Sequence, residues 1–109
     1  MNKSIQKHGD RAVYSQHRLQ ELLKDFLDKR GTDYSLQKLG FFGSYARNQA
    51  TAKSDVDIVF TTSRPNLMTT SILKQDLEEL LGCKVDVIRL QPYLTPTFKA
   101  RIEQEAIYV

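Results

Sequence analysis

Apolar residues recur along the chain in two rhythms, one helical and one alternating. Leu19, Leu22, Leu23, Phe26 and Leu27 fall on one helical face. Lys29 and Arg30 set cations at the negative helix end and Gly31 offers a stop, so the spacing predicts a helix over residues 13–30. SLQKLGFF then reads as a strand running into Gly43, followed by a short helical turn over 44–48. Residues 54–61 follow a period of two, with Val56, Ile58 and Phe60 on one face and Asp55, Asp57 and Val59 on the other. SRPN marks a loop. Ile72, Leu73, Leu77, Leu80 and Leu81 return to helical spacing, giving a helix over 70–81 that Gly82 stops. KVDVIRL, residues 84–90, is a third strand with Asp86 in its middle. Thr95-Pro96 is an N-cap with proline at the first helical position, opening a last helix with Phe98 and Ile102 four apart. The closing AIYV either finishes that helix or forms a short edge strand.

This order implies an α/β (α+β) fold, a small mixed β-sheet with helices packed against it. The second and third strands are joined through a helix, which predicts a crossover and a parallel, neighbouring pair. A chain of 109 residues fits a single domain spanning 1–109, with the polar residues 1–12 expected to fray.

Composition narrows the class only modestly. Hydrophobic content of 40% and charged content of 27% are those of a soluble globular protein. The net charge of +3 suits an anionic ligand such as a nucleotide, but the basic residues are scattered, which argues against a nucleic-acid surface. Cys83 is the sole cysteine, so neither an intramolecular disulfide nor a cysteine zinc cluster can form; a small core residue at the entrance of a strand is the expected role. His8 and His17 lack ligand spacing. No apolar run approaches the ~20 residues of a membrane span and no signal-peptide core is present, so a cytoplasmic location is expected.

The chemistry lies in FFGSYARNQATAKSDVDIVF. Asp55 and Asp57, two apart on a strand, point to the same face, where unpaired carboxylates repel and resist joint ionisation. No lysine or arginine alternates with them, so a divalent cation is the simplest partner, and hard oxygen ligands suit Mg²⁺ or Mn²⁺. Asp86 brings a third carboxylate on another strand, and three on one sheet face can hold two ions, the arrangement used for in-line displacement at phosphorus. Both strands are otherwise apolar, and charges in such surroundings are costly without partners. The Gly43-Ser44 turn lets backbone approach a phosphate closely and adds a hydroxyl donor. Arg47 either contacts phosphate or holds an acidic neighbour.

These residues resemble the signature of the DNA polymerase β-like nucleotidyltransferases: Gly43-Ser44, the spacer Tyr45 to Ser54, then Asp55-Val56-Asp57, with KVDVIRL similar to the later strand that carries the third carboxylate. The short length is similar to that of the minimal nucleotidyltransferases, many of which serve as antitoxins to HEPN-domain toxins. The resemblance implies a palm-like nucleotidyltransferase fold, with Gly43 and Ser44 at the triphosphate and Asp55, Asp57 and Asp86 both catalytic and ligands of two Mg²⁺ ions. Asp86 would also take the proton from the attacking hydroxyl. ATP would be the co-substrate and a tyrosine of the toxin the AMP acceptor, in a homo-oligomer or a hetero-oligomer with the toxin. One departure is Asn48, where the family commonly has glycine; asparagine tolerates the left-handed backbone that such a turn needs. Two other functions fit the same residues: neutralisation of a toxin by binding alone, or transfer to a small molecule.

Overall fold

The computed structural model describes residues 13–91 and 93–109; the expectation of fraying at 1–12 and the reading of His8 fall outside them. Helix α1 spans Gln16–Arg30, and its start is set by Ser15, whose side chain accepts from the Arg18 N–H at 3.0 Å. It therefore begins three residues later than its apolar spacing suggests. It does end at Arg30, but Gly31 is not a left-handed stop. Gly31 stays right-handed and opens a 3₁₀ turn, Gly31–Tyr34, and the left-handed residue is Ser35 at φ 54°.

Strand β1, Leu36–Phe42, leads directly into a single helical turn, α2, Gly43–Ala46. Strand β2 is Val56–Thr62 and helix α3 is Leu67–Leu81. Helix α3 starts earlier than predicted because Asn66 of the SRPN loop caps it, accepting from the Thr69 N–H at 3.0 Å. Gly82, at φ +70°, ends it. Strand β3, Val85–Arg89, precedes helix α4, Pro96–Glu105, which opens as expected with Thr95 accepting from the Phe98 N–H. The closing residues form a two-residue edge strand, β4, Ile107–Tyr108.

The sheet order is β3-β2-β1-β4. Strands β2 and β3 are parallel, as the crossover requires, while β1 is antiparallel to both β2 and β4. Helices cover both faces. Leu19, Leu23 and Phe26 of α1 and Leu73, Leu77 and Leu81 of α3 pack on Leu39, Phe41, Val56, Ile58 and Phe60. On the opposite face Ile102 and Phe98 of α4 pack on Phe42, Val59 and Ile88. Cys83 is half-buried beside the first of these cores. The alternation in DVDIVF thus sends Val56, Ile58 and Phe60 to one layer and leaves Asp57 and Val59 on the α4 side.

Candidate active site

Strand β1 ends where β2 begins, because the two are antiparallel and Phe42 is opposite Asp57. Parallel pairing then sets Asp57 opposite Asp86 on β3, about 4.8 Å away by ordinary strand spacing. In one end of the sheet the fold therefore gathers the Gly43-Ser44 turn, Asp57 and Asp86. Asp55 lies just before β2, at the close of a turn in which the Thr51 N–H donates to Ser54 Oγ at 2.8 Å. Strand alternation therefore does not dictate which way its side chain faces.

The burial expected of these carboxylates is not found. Asp57 is half-buried, while Asp55 and Asp86 are exposed. Their apolar sequence neighbours Val56, Ile58 and Val85 belong to the opposite layer, which is why the strands read as buried. Asp57 still feels its surroundings. Desolvation raises its carboxyl pKa above the usual carboxylate range, the charges of Asp86 and Asp55 raise it further, and Arg47 and Arg101 partly offset this.

A divalent ion fits this donor set. Among the described residues no group of three carboxylate, imidazole or thiol side chains is arranged to cage an ion on its own. Two register-paired carboxylates, one of which holds the pKa of Asp57 up, nevertheless suit Mg²⁺, which usually takes one or two protein carboxylates and completes its shell with water and substrate phosphate. One consequence can be measured. Because the folded-state pKa of Asp57 is raised, its destabilising effect is absent below the ordinary value of 3.8, where the carboxyl is protonated folded or unfolded, and fully present once the folded carboxyl ionises. Asp57→Asn should therefore raise the melting temperature of the metal-free protein at pH 7, and the gain should vanish near pH 3. Added MgCl₂ should stabilise the parent chain and not the variant; an equal response in both would remove Asp57 from the metal site.

The turn is tightly built. Gly43 adopts φ +71°, and a Cβ there would lie 2.1 Å from Asp57 Oδ2, so only glycine permits this approach. The Gly43 N–H donates to Glu105 Oε2 at 2.7 Å. At the other end of α2, Gln16 Nε2 donates to the carbonyls of Tyr45 and Ala46 at 2.8 and 3.0 Å. Of the two roles open to Arg47, the structure displays the ion pair: its guanidinium meets Glu105 at 3.3 Å. Asn48 takes the left-handed conformation at φ 60°, so the turn closes without glycine. Beside the carboxylates lies a cleft of about 340 Å³ lined by Phe42, Asp57, Lys74, Asp86, Ile88 and Phe98 among others. A larger hollow of about 430 Å³ opens between Thr32–Ser35 and Arg64–Asn66 and contains none of the three aspartates.

Sequence reasoning had not singled out Glu105, Arg101 or Lys74. For Glu105 a signal existed: it follows Phe98 and Ile102 at helical spacing, a carboxylate on the apolar stripe of α4.

The fold is that of the nucleotidyltransferases. The nucleotidyltransferase domain family matches residues 19–109, and the chain belongs to that family. A Methanocaldococcus jannaschii relative, whose name proposes protein adenylyltransferase activity, is 37% identical over 80% of this chain and 94% of its own length. The protein adenylyltransferase MntA of Thermococcus cleftensis is 34% identical over 70% of this chain and 77% of its own. Among solved structures, one described as a proposed minimal nucleotidyltransferase superposes with a TM-score of 0.73 at 26% identity, covering 89% of this chain and 98% of that one. A tri-AMPylated Shewanella oneidensis HEPN toxin in complex with its MNT antitoxin contains a chain that superposes with a TM-score of 0.55 at 20% identity, covering 86% of this chain and 67% of that one, a likeness of fold. Among the described residues no helix is long and apolar enough to cross a membrane.

Proposed function

We propose that the protein transfers AMP from ATP to a tyrosine hydroxyl of a HEPN-domain toxin and so acts as its antitoxin. The observation that carries this reading is the register pairing of Asp57 with Asp86 beside the Gly43-Ser44 turn. It is supported by the relatives named for protein adenylyltransfer and by the fold shared with an antitoxin whose toxin partner is AMPylated. Bound Mg²⁺ or Mn²⁺ would supply neutralisation of phosphate charge and a more acidic acceptor hydroxyl. Asp55, Asp57 and Asp86 would hold it, with Ser44 donating to the triphosphate. Asp86, exposed and lining the cleft, would take the proton of the acceptor. The acceptor oxygen bonds to the α-phosphorus, the bond to the bridging oxygen breaks, and pyrophosphate leaves. The acceptor comes from a second chain.

The test is incubation with α-labelled ATP, MgCl₂ and the co-encoded partner, followed by mapping of the labelled residue. Label on a partner tyrosine is expected. No label, or protection of toxin-expressing cells by a chain with all three aspartates changed to alanine, would replace transfer with neutralisation by binding.

A further inference from the structure

We propose that Glu105 is a positioning residue of the transfer site. It holds the Gly43–Ala46 turn against Asp57 and takes up the Gly43 amide, so that the Ser44 hydroxyl, and not that amide, meets the incoming phosphate. The inference rests on the reading of the site as one for a nucleoside triphosphate.

Three features carry it. The first is the bond itself: donated by the Gly43 N–H at 2.7 Å to a carboxylate whose side chain is 17% exposed, it is a charge-assisted hydrogen bond at the short end of the range. The second is its anchorage. Glu105 is the last residue of α4, the Ala106 N–H closes the helix on the Ile102 carbonyl at 2.8 Å, and Ile107 is already paired with Phe41 of β1. A residue between a closed helix end and a sheet pairing has little freedom to swing away, so the carboxylate acts as a fixed strut. Arg47 at 3.3 Å and Arg101 at 3.9 Å balance its charge. The third is what the strut bears on. Gly43 fits so closely under Asp57 that a Cβ would lie 2.1 Å from the carboxylate oxygen. Movement of the turn towards Asp57 must therefore displace that side chain. Glu105 thus sets the distance between the phosphate-facing turn and a metal-facing carboxylate without touching substrate.

The experiment uses the full chain with labelled ATP, MgCl₂ and the partner, comparing Glu105→Ala with Glu105→Gln. Glutamine keeps an acceptor for the Gly43 N–H; alanine removes it. Misplacement of a reacting group by ~1 Å costs on the order of 10²-fold, so the alanine variant should lose ~10–100-fold in kcat/KM, with ATP KM raised, and the glutamine variant less than ~5-fold. The Gly43 amide proton should move upfield in the alanine variant and stay near its parent position in the glutamine variant. If the alanine chain does not fold, Glu105→Asp, which withdraws the carboxylate by one methylene, should show the same loss of ~10-fold or more. Parent-like kinetics in the alanine or aspartate variant, equal losses in alanine and glutamine variants, or a lowered ATP KM on removing the carboxylate would overturn the proposal. The last result would make Glu105 a competitor of phosphate. A parent chain that transfers no label defeats the transferase reading instead, while the amide resonance still reports whether Glu105 holds Gly43.

Discussion

An Asp55→Ala/Asp57→Ala chain is expected to lose nucleotidyl transfer by about 10³-fold or more while keeping its fold. The magnitude follows from the work the carboxylates would do in the proposed transfer. Holding divalent charge at a phosphoryl group contributes several kcal/mol to the transition state, and ~4 kcal/mol is a factor of about 10³ in rate. The fold should survive because neither side chain holds it together. Asp55 is exposed ahead of β2, and the ionisation of Asp57 is disfavoured by its own surroundings. The residues that anchor this strand are Val56 and Ile58, each fully buried in the layer beneath α1 and α3. Parallel measurements of label transfer and thermal melting decide the matter. Transfer within tenfold of the parent, in a chain that melts normally, would mean that the chemistry lies elsewhere.

The carboxylates were legible because they break a pattern. Asp57 and Asp86 interrupt apolar alternation, and the helix between their strands implies a parallel crossover, which the structure has. Thr95-Pro96 was legible for a different reason: capping is local chemistry, and the cap is where the two residues put it. What the sequence does not display is which face each helix covers. Periodicity says that α4 has an apolar stripe but not that this stripe lies across the sheet from α1 and α3. Without that, Glu105 and Gly43, far apart in the chain, cannot be seen to meet. Their contact depends on the short pairing of β4 with β1, in a segment whose four letters fit helix or strand equally well. The burial of the aspartates was overread for a related reason. Strand neighbours that look like surroundings in sequence point through the sheet to the other layer in space.

Gly43→Ala should be the most damaging single change at the site, destabilising the chain by roughly 2–5 kcal/mol. The left-handed backbone at φ +71° costs an alanine about 1–2 kcal/mol. The added methyl meets Asp57 Oδ2 at 2.1 Å and its carboxyl carbon at 3.0 Å, and forcing such a contact apart adds about 1–3 kcal/mol. On a total stability of about 5–15 kcal/mol, this should lower the melting temperature by roughly 10 °C or more. Transfer should fall as well, because the clash displaces the turn, Asp57, or both. The two contributions separate in a double-mutant cycle. With Asp57→Ala the oxygen and carboxyl carbon are gone, and the nearest remaining atom of residue 57 is its Cβ at 3.4 Å, an ordinary contact. Gly43→Ala in that background should cost only the ~1–2 kcal/mol of backbone handedness, leaving a coupling energy of about 1–3 kcal/mol between the two positions. Equal costs in both backgrounds would show that Gly43 is required for its conformation alone, and the close approach of the turn to the Asp57 carboxylate would lose its energetic basis.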